Sequence, residues 1–189
     1  MDECMKNHLK SLMMPIPGGV EHLRDYRDEQ KWISLNSTMS IPGQKGNLTK
    51  IERKVEIKPF LLAKYPVTKG LYEAITQKVR GNAGVDSVPM VNVSWYEAVS
   101  FCNMLSMECG FEECYMLDHN GSNVIFIRSA NGYRLPTDAE WQYACKAGSE
   151  GYRYGEIEDI AWYDENSKGR IHEVGNKEPN NWGLYDMLG

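Results

Sequence analysis

The residues best suited to chemistry are sulfur and oxygen ligands. Cys109 and Cys114 stand either side of Gly-Phe-Glu-Glu, and two thiolates at such spacing can share a soft ion such as copper(I) or zinc. Zinc wants two further ligands, and His119 alone does not complete a set. The plainer reading is one buried cysteine and one at the start of a strand. The four histidines, His8, His22, His119 and His172, are scattered along the chain, and none sits beside a serine or cysteine in a pattern for nucleophilic catalysis. Asp164, Glu165 and Asn166 offer hard oxygen donors of the kind calcium takes, against a solvated Asp-Glu-Asn turn as the plainer alternative. No phosphate-cradling glycine motif, paired catalytic carboxylates or Ser/His/Asp arrangement stands out.

Two helices must carry the frame that positions these groups. Ser94-Trp-Tyr-Glu97 is a capping box, in which the serine hydroxyl and the glutamate carboxylate satisfy backbone donors at a helix start. The helix it opens places Trp95, Ala98, Val99, Cys102 and Leu105 on one face and stops at Gly110, which makes Cys102 a core residue. Thr137-Asp-Ala-Glu140 repeats the device, and Trp141, Ala144 and Cys145 carry that helix towards Gly148. Thr68 caps a shorter helix over Lys69 to Thr76.

The strands are short. Val55, Ile57 and Phe60 to Ala63 form a β-type run interrupted by Pro59, which suits an edge strand or a bulge. Cys114 to Asp118 and Asn123 to Arg128 flank a polar Asn120-Gly121 turn and read as a hairpin. The first fifty residues read as irregular structure or short strands, with turns at Pro15 to Gly19 and Ile41 to Gly46. Beyond Gly151 the chain is aromatic and turn-rich, a long ordered loop that needs a ligand, a metal or a packed aromatic cluster to offset its ordering entropy.

Composition bounds the rest. The chain has 189 residues, 42% hydrophobic and 25% charged, which suits one globular domain rather than a disordered chain. A net charge of -5 and a pI near 5.4 leave no broad cationic surface, so nucleic acid and anionic membrane are not expected partners. No stretch approaches the ~20 apolar residues of a membrane helix, and Met1 to Leu12 is too polar for a signal-peptide core. The expectation is a cytoplasmic protein whose five cysteines are reduced.

Four stretches, in order and spacing, resemble the formylglycine-generating enzyme (sulfatase-modifying factor) family. They are Val55-Glu-Ile-Lys-Pro-Phe60 with Ala63-Lys-Tyr-Pro-Val-Thr68; Pro89-Met-Val-Asn-Val-Ser-Trp-Tyr-Glu-Ala-Val-Ser-Phe-Cys-Asn103; Gly132-Tyr-Arg-Leu-Pro-Thr-Asp-Ala-Glu-Trp-Gln-Tyr-Ala144; and Trp182-Gly-Leu-Tyr-Asp-Met-Leu-Gly189. The resemblance implies an α+β, C-type-lectin-like fold with little regular structure and two main helices, in which Trp95 and Trp141 anchor the core. It implies an N-terminal extension over residues 1–13 and a partial domain over 14–189, incomplete at its C-terminus.

Full-length members, so the resemblance runs, use oxygen and a copper(I) ion held by two cysteines to oxidise the cysteine of a Cys-x-Pro-x-Arg motif to formylglycine. Those cysteines follow an Asn-Val-Trp-Glu-Trp stretch and precede a Gly-Phe-Arg, all beyond the Gly189 position. No residue of this chain matches the catalytic positions, so copper is not expected here, and Cys109 and Cys114 lie in the wrong part of the domain to inherit it. Calcium is possible in the aromatic loop, with Asp164 and Asn166 as the nearest donors, although Trp162 replaces a common asparagine. Such a chain is expected to be inactive alone, to expose apolar surface and strand edges that a protein or peptide partner can cover, and otherwise to serve as a lectin-like binding or scaffold module.

Overall fold

The computed structural model describes residues 3–23, 53–76, 87–118, 123–151 and 153–189. Along the chain these form α1 (Glu3–Ser11), β1 (Met13–Ile16), β2 (Gly19–Leu23), β3 (Arg53–Ile57), β4 (Phe60–Ala63), α2 (Lys69–Thr76), α3 (Trp95–Cys109), β5 (Tyr115–Leu117), β6 (Val124–Phe126), α4 (Asp138–Lys146), α5 (Ile157–Ile160) and α6 (Asp164–Ser167). The turns expected at residues 41–46 and 120–121 lie outside the described residues.

The strands pair as three antiparallel two-stranded ribbons, β1 with β4, β2 with β3 and β5 with β6. The first two are one ribbon broken in the middle. Ile16 faces Phe60 and Gly19 faces Ile57, so the register runs unbroken across the gap and Pro17 falls opposite Pro59. Neither proline has an N–H to give, and the ladder lapses where they meet. Pro59 therefore interrupts the ladder rather than making a bulge. Gly18 eases the close approach there, since a Cβ would press on the Pro59 ring and the Ile57 carbonyl, at 3.0 and 3.1 Å.

Both long helices start as their sequences dictate. The Ser94 hydroxyl accepts from Glu97 N at 3.2 Å while the Glu97 carboxylate accepts from Ser94 N at 3.0 Å; Thr137 and Glu140 do the same at 3.2 and 2.8 Å. Gly110 closes α3 in the left-handed region at φ 78°. Thr68 Oγ1 accepts from Leu71 N at the head of α2.

The core has three centres. Leu9, Tyr72, Phe101 and Leu105 form the first, with the Tyr72 and Phe101 rings stacked at 5.3 Å. Val99, Cys102, Cys114 and Tyr115 form the second; Ile16, Ala144 and Leu184 form the third. α3 thus buries two sides, not the single face its periodicity suggests: Phe101 and Leu105 look into one cluster, Val99 and Cys102 into the other. Leu9 also ties α1 into the first cluster, so residues assigned from sequence to an extension contribute to the core.

The two expected anchors do not anchor. Trp95 is 52% exposed and Trp141 39%. Each occupies the first turn of its helix, where Ser94, Thr137 and Asp138 are also exposed, and the buried stretch begins only a turn later, at Val99 and Ala144. Trp95 instead packs edge-on against Tyr96 at 5.2 Å. Exposed apolar side chains also lie on the ribbons, among them Leu61, Met116 and Ile125.

After α4 the chain is mainly turns, with α5 and α6 as single helical turns. Packed rings and side-chain clamps order it: Tyr65 against Tyr185 at 5.1 Å, Tyr143 against Trp182 at 4.9 Å, and the buried Asn180, which ties Ala144 and Cys145 to Trp182 and Leu184.

Candidate functional site

The sequence-derived ligands are not gathered into one site. Cys109 is half-buried against the first core cluster, its sulfur 3.9 Å from the Tyr133 hydroxyl, whereas Cys114 is buried in the second cluster. Cys102 lies beside Cys114, and burial, reinforced by that neighbour, pushes its thiol up to about 12, so it stays protonated. His8 and His22 are exposed, His119 lies outside the described residues, and His172 stacks on Trp162 at 3.7 Å with its Nε2 3.0 Å from the Ser167 carbonyl.

Asp164 and Asn166 share the turn of α6, yet the asparagine amide is committed to protein. Its Oδ1 accepts from Tyr163 N at 2.8 Å and its Nδ2 donates to the Ala161 carbonyl at 3.0 Å and to Glu158 at 3.2 Å. Asp164 and Glu165 are exposed, Asp164 lining a cavity of about 420 Å³ together with Trp162 and Asp186. Among the described residues no three His, Cys, Asp or Glu side chains stand close enough to hold a metal ion.

What the fold does build is a cavity of about 490 Å³ between the β1/β4 ribbon and the segment 131–136. Met13, Phe60, Leu61 and Leu62 form one wall; Phe111, Gly132, Tyr133 and Pro136 form the other, with Lys10 and Asn131 also lining it. Leu61, 60% exposed, and Phe111, 39% exposed, leave apolar surface at solvent.

The second wall is rigid for identifiable reasons. Ser106 Oγ, fully buried, donates to the Cys102 carbonyl at 2.7 Å and accepts from Tyr133 N at 2.8 Å. Leu135 N donates to the Tyr115 hydroxyl at 3.0 Å, and Glu112 N to Asn131 Oδ1 at 2.9 Å. At Gly132 a Cβ would collide with the Glu112 carbonyl and Ser106, so only glycine fits. The ring of Phe111 meets Tyr133 edge-on at 5.9 Å.

Arg134 closes this wall with a two-pronged pair to Glu140, Nη1 to Oε2 at 2.7 Å and Nη2 to Oε1 at 2.6 Å. Burial works to raise the Glu140 carboxyl, but the Arg134 and Thr137 donors outweigh it and hold the group below the usual carboxylate range. A carboxyl depressed on folding contributes stability above its unfolded value of about 4.3 and loses it as pH falls further. Thermal melts should therefore show wild type losing stability on acidification below that value more steeply than Glu140→Gln; parallel profiles would show that the pair carries no such linkage.

The chain so folded matches a known family. The model of the sulfatase-modifying factor enzyme 1-like domain matches residues 6–189. The chain belongs to that family. A relative from Paenibacillus barcinonensis, named chaperone protein LppX, is 28% identical over 174 aligned residues, covering 73% of this chain and 62% of that protein. The chain therefore spans less than two thirds of that relative's length.

Solved members of the fold agree. Treponema denticola variable protein 1 superposes with a TM-score of 0.69 at 26% identity, over 92% of this chain and 68% of the other. CarF superposes with a TM-score of 0.64 at 21% identity, over 92% and 76%, which speaks to fold alone. No helix among the described residues is long and apolar enough to cross a membrane.

Sequence reasoning missed the cavity because its lining comes from α1, two strands and two loops. The run Gly132-Tyr-Arg-Leu-Pro136, read from sequence only as part of a family motif, supplies one wall.

Proposed function

We propose that this chain is a non-catalytic binding module of the sulfatase-modifying factor family, and that it takes an extended apolar stretch of polypeptide into the cavity beside Leu61. The observation that carries this reading is the pairing of a rigid wall, residues 131–136, with an apolar ribbon whose Leu61 stays 60% exposed. Exposed apolar surface beside a formed cavity is the usual signature of a binding site. Lys10 at the lining adds a cation for an acidic residue of the ligand.

The name of the Paenibacillus relative, a chaperone, supports polypeptide as the ligand class. Cysteine oxidation by this chain itself finds less support. Cys102 is held as a neutral thiol, and Cys109 and Cys114 are turned into different core clusters, whereas copper(I) chemistry wants accessible thiolates. Cys102, Cys109, Cys114 and Cys145 are free thiols, which is compatible with a reducing compartment.

Fluorescence anisotropy of a labelled Leu-Ser-Leu-Ser-Leu-Glu peptide tests it. Binding should saturate with wild type, and Leu61→Asp should weaken it by about tenfold, since a charge replaces apolar area that the ligand would bury. Leu61 is exposed, so the variant should keep the wild-type melting temperature. Equal affinity in the two proteins would move the binding site elsewhere.

A further inference from the structure

The cavity beside Leu61 meets β4 along its edge. Phe60, Leu61 and Leu62 all line it, although the side chains of consecutive strand residues point to opposite sides of the ribbon, whereas β1 contributes Met13 alone. Phe60 and Leu62 pack against the third core cluster while Leu61 is exposed, so what the three share towards the cavity is the outer edge of the strand.

The pairing with β1 fixes which groups that edge presents. Lys64 N donates to the Leu12 carbonyl at 2.7 Å, which makes residues 64 and 12 a hydrogen-bonded pair, and such pairs alternate along an antiparallel ladder. Leu62 with Met14 and Phe60 with Ile16 therefore bond across the ribbon, and Leu61, opposite Pro15, turns its own N–H and C=O away from β1. Pro15 agrees with that parity, because a strand tolerates a residue without an N–H where the N–H would face outward. Among the described residues no third strand joins this ribbon, and the Leu61 N–H and C=O have no backbone partner.

The opposite wall has its own backbone committed. Tyr133 N and Leu135 N donate to Ser106 Oγ and to the Tyr115 hydroxyl, and the Leu135 carbonyl accepts from Arg134 Nη1 at 3.1 Å. That wall presents the rings of Phe111 and Tyr133 instead. Of the lining residues only Lys10 and Arg134 are charged, both positive, and Arg134 is paired with Glu140, so the free charge calls for an acidic ligand residue. We propose that the ligand is an extended polypeptide segment with an acidic residue, added as a strand to the edge of β4, its backbone accepting from the Leu61 N–H and donating to the Leu61 carbonyl. This rests on the polypeptide-binding reading of the same cavity and adds how the ligand is read: by its backbone at a free strand edge, with apolar side chains filling the space beside it.

Amide hydrogen exchange of the 15N-labelled full chain reads the Leu61 N–H directly. In the free protein it should exchange faster than those of Phe60 and Leu62, which bond to β1, and the Leu-Ser-Leu-Ser-Leu-Glu peptide should slow it by about tenfold. Methylating the inner amide nitrogens of that peptide one at a time should weaken binding about tenfold at alternate positions and spare those between, because successive N–H groups of a strand point to opposite edges. Slow exchange at Leu61 in the free protein would overturn the proposal, and slowing that grew with protein concentration would name a second copy of this chain as the occupant. Methylated peptides that all bind like the parent, or are all weakened alike, would overturn strand addition and leave the Leu61 cavity as a site for side chains. A parent peptide that fails to bind wild type would sink this proposal and the proposed function together.

Discussion

Asn180→Ala should lower the unfolding free energy by about 4 kcal/mol, which for a chain of this size is a fall of about 10 °C in melting temperature. The side chain is 5% exposed and makes four hydrogen bonds. Its Nδ2 donates to the carbonyls of Ala144 and Cys145, at 2.8 and 3.1 Å, and its Oδ1 accepts from Trp182 N and Leu184 N, at 3.0 and 3.2 Å. Ala144 and Cys145 lie in the last turn of α4, where carbonyls have no partner within the helix, so Asn180 caps that helix from a loop distant in sequence. Alanine would orphan several buried groups at once. Asn180→Asp keeps the acceptor but presents a carboxylate to two carbonyls and should do no better. Urea unfolding decides it: a loss under about 1 kcal/mol would mean that the loop holds without this clamp.

Lys146→Met should cost about 3 kcal/mol for a related reason. Lys146 pairs with Glu21, whose carboxylate side chain is 5% exposed within β2, and its ammonium also reaches the His22 carbonyl at 3.5 Å. Removing the lysine leaves a carboxylate buried without a counter-charge, which is far costlier than the net worth of the pair. The double variant Glu21→Met/Lys146→Met should recover most of the loss, because two apolar side chains can replace a buried pair. If the double variant is as unstable as the single, packing rather than charge is what Lys146 provides.

These two clamps show where sequence stops being legible. Both long helices could be read because Ser94 with Glu97, and Thr137 with Glu140, act within one turn, so cause and effect lie side by side. The same holds for Thr68 before α2 and for the hairpin of β5 and β6. By contrast, α1 is a polar helix fixed largely through Leu9, and nothing local announces it. Periodicity gave Trp95 and Trp141 the right helices but not their depth, because a helical pattern carries no information about where the core ends along the axis. The opposition of Pro17 and Pro59 is likewise a long-range fact, visible only once the strands are paired.

The sites divide in the same way. Asp164 and Asn166 were legible as oxygen donors, and the structure sets Asp164 at the cavity that also holds Trp162 and Asp186. That Asn166 spends its amide on Tyr163, Ala161 and Glu158 could not be read from three adjacent polar residues. Leu61 and Phe111, fifty residues apart, meet at one cavity for which neither segment carries a motif.

The central claim is capture without turnover, and one measurement addresses it directly. A Cys-x-Pro-x-Arg peptide flanked by leucines is incubated with the full chain and copper(I) in air, and the protein-bound and free peptide are analysed by mass spectrometry. The account predicts bound peptide recovered with its cysteine thiol intact; conversion of that cysteine to the aldehyde at a rate above the protein-free control would contradict it.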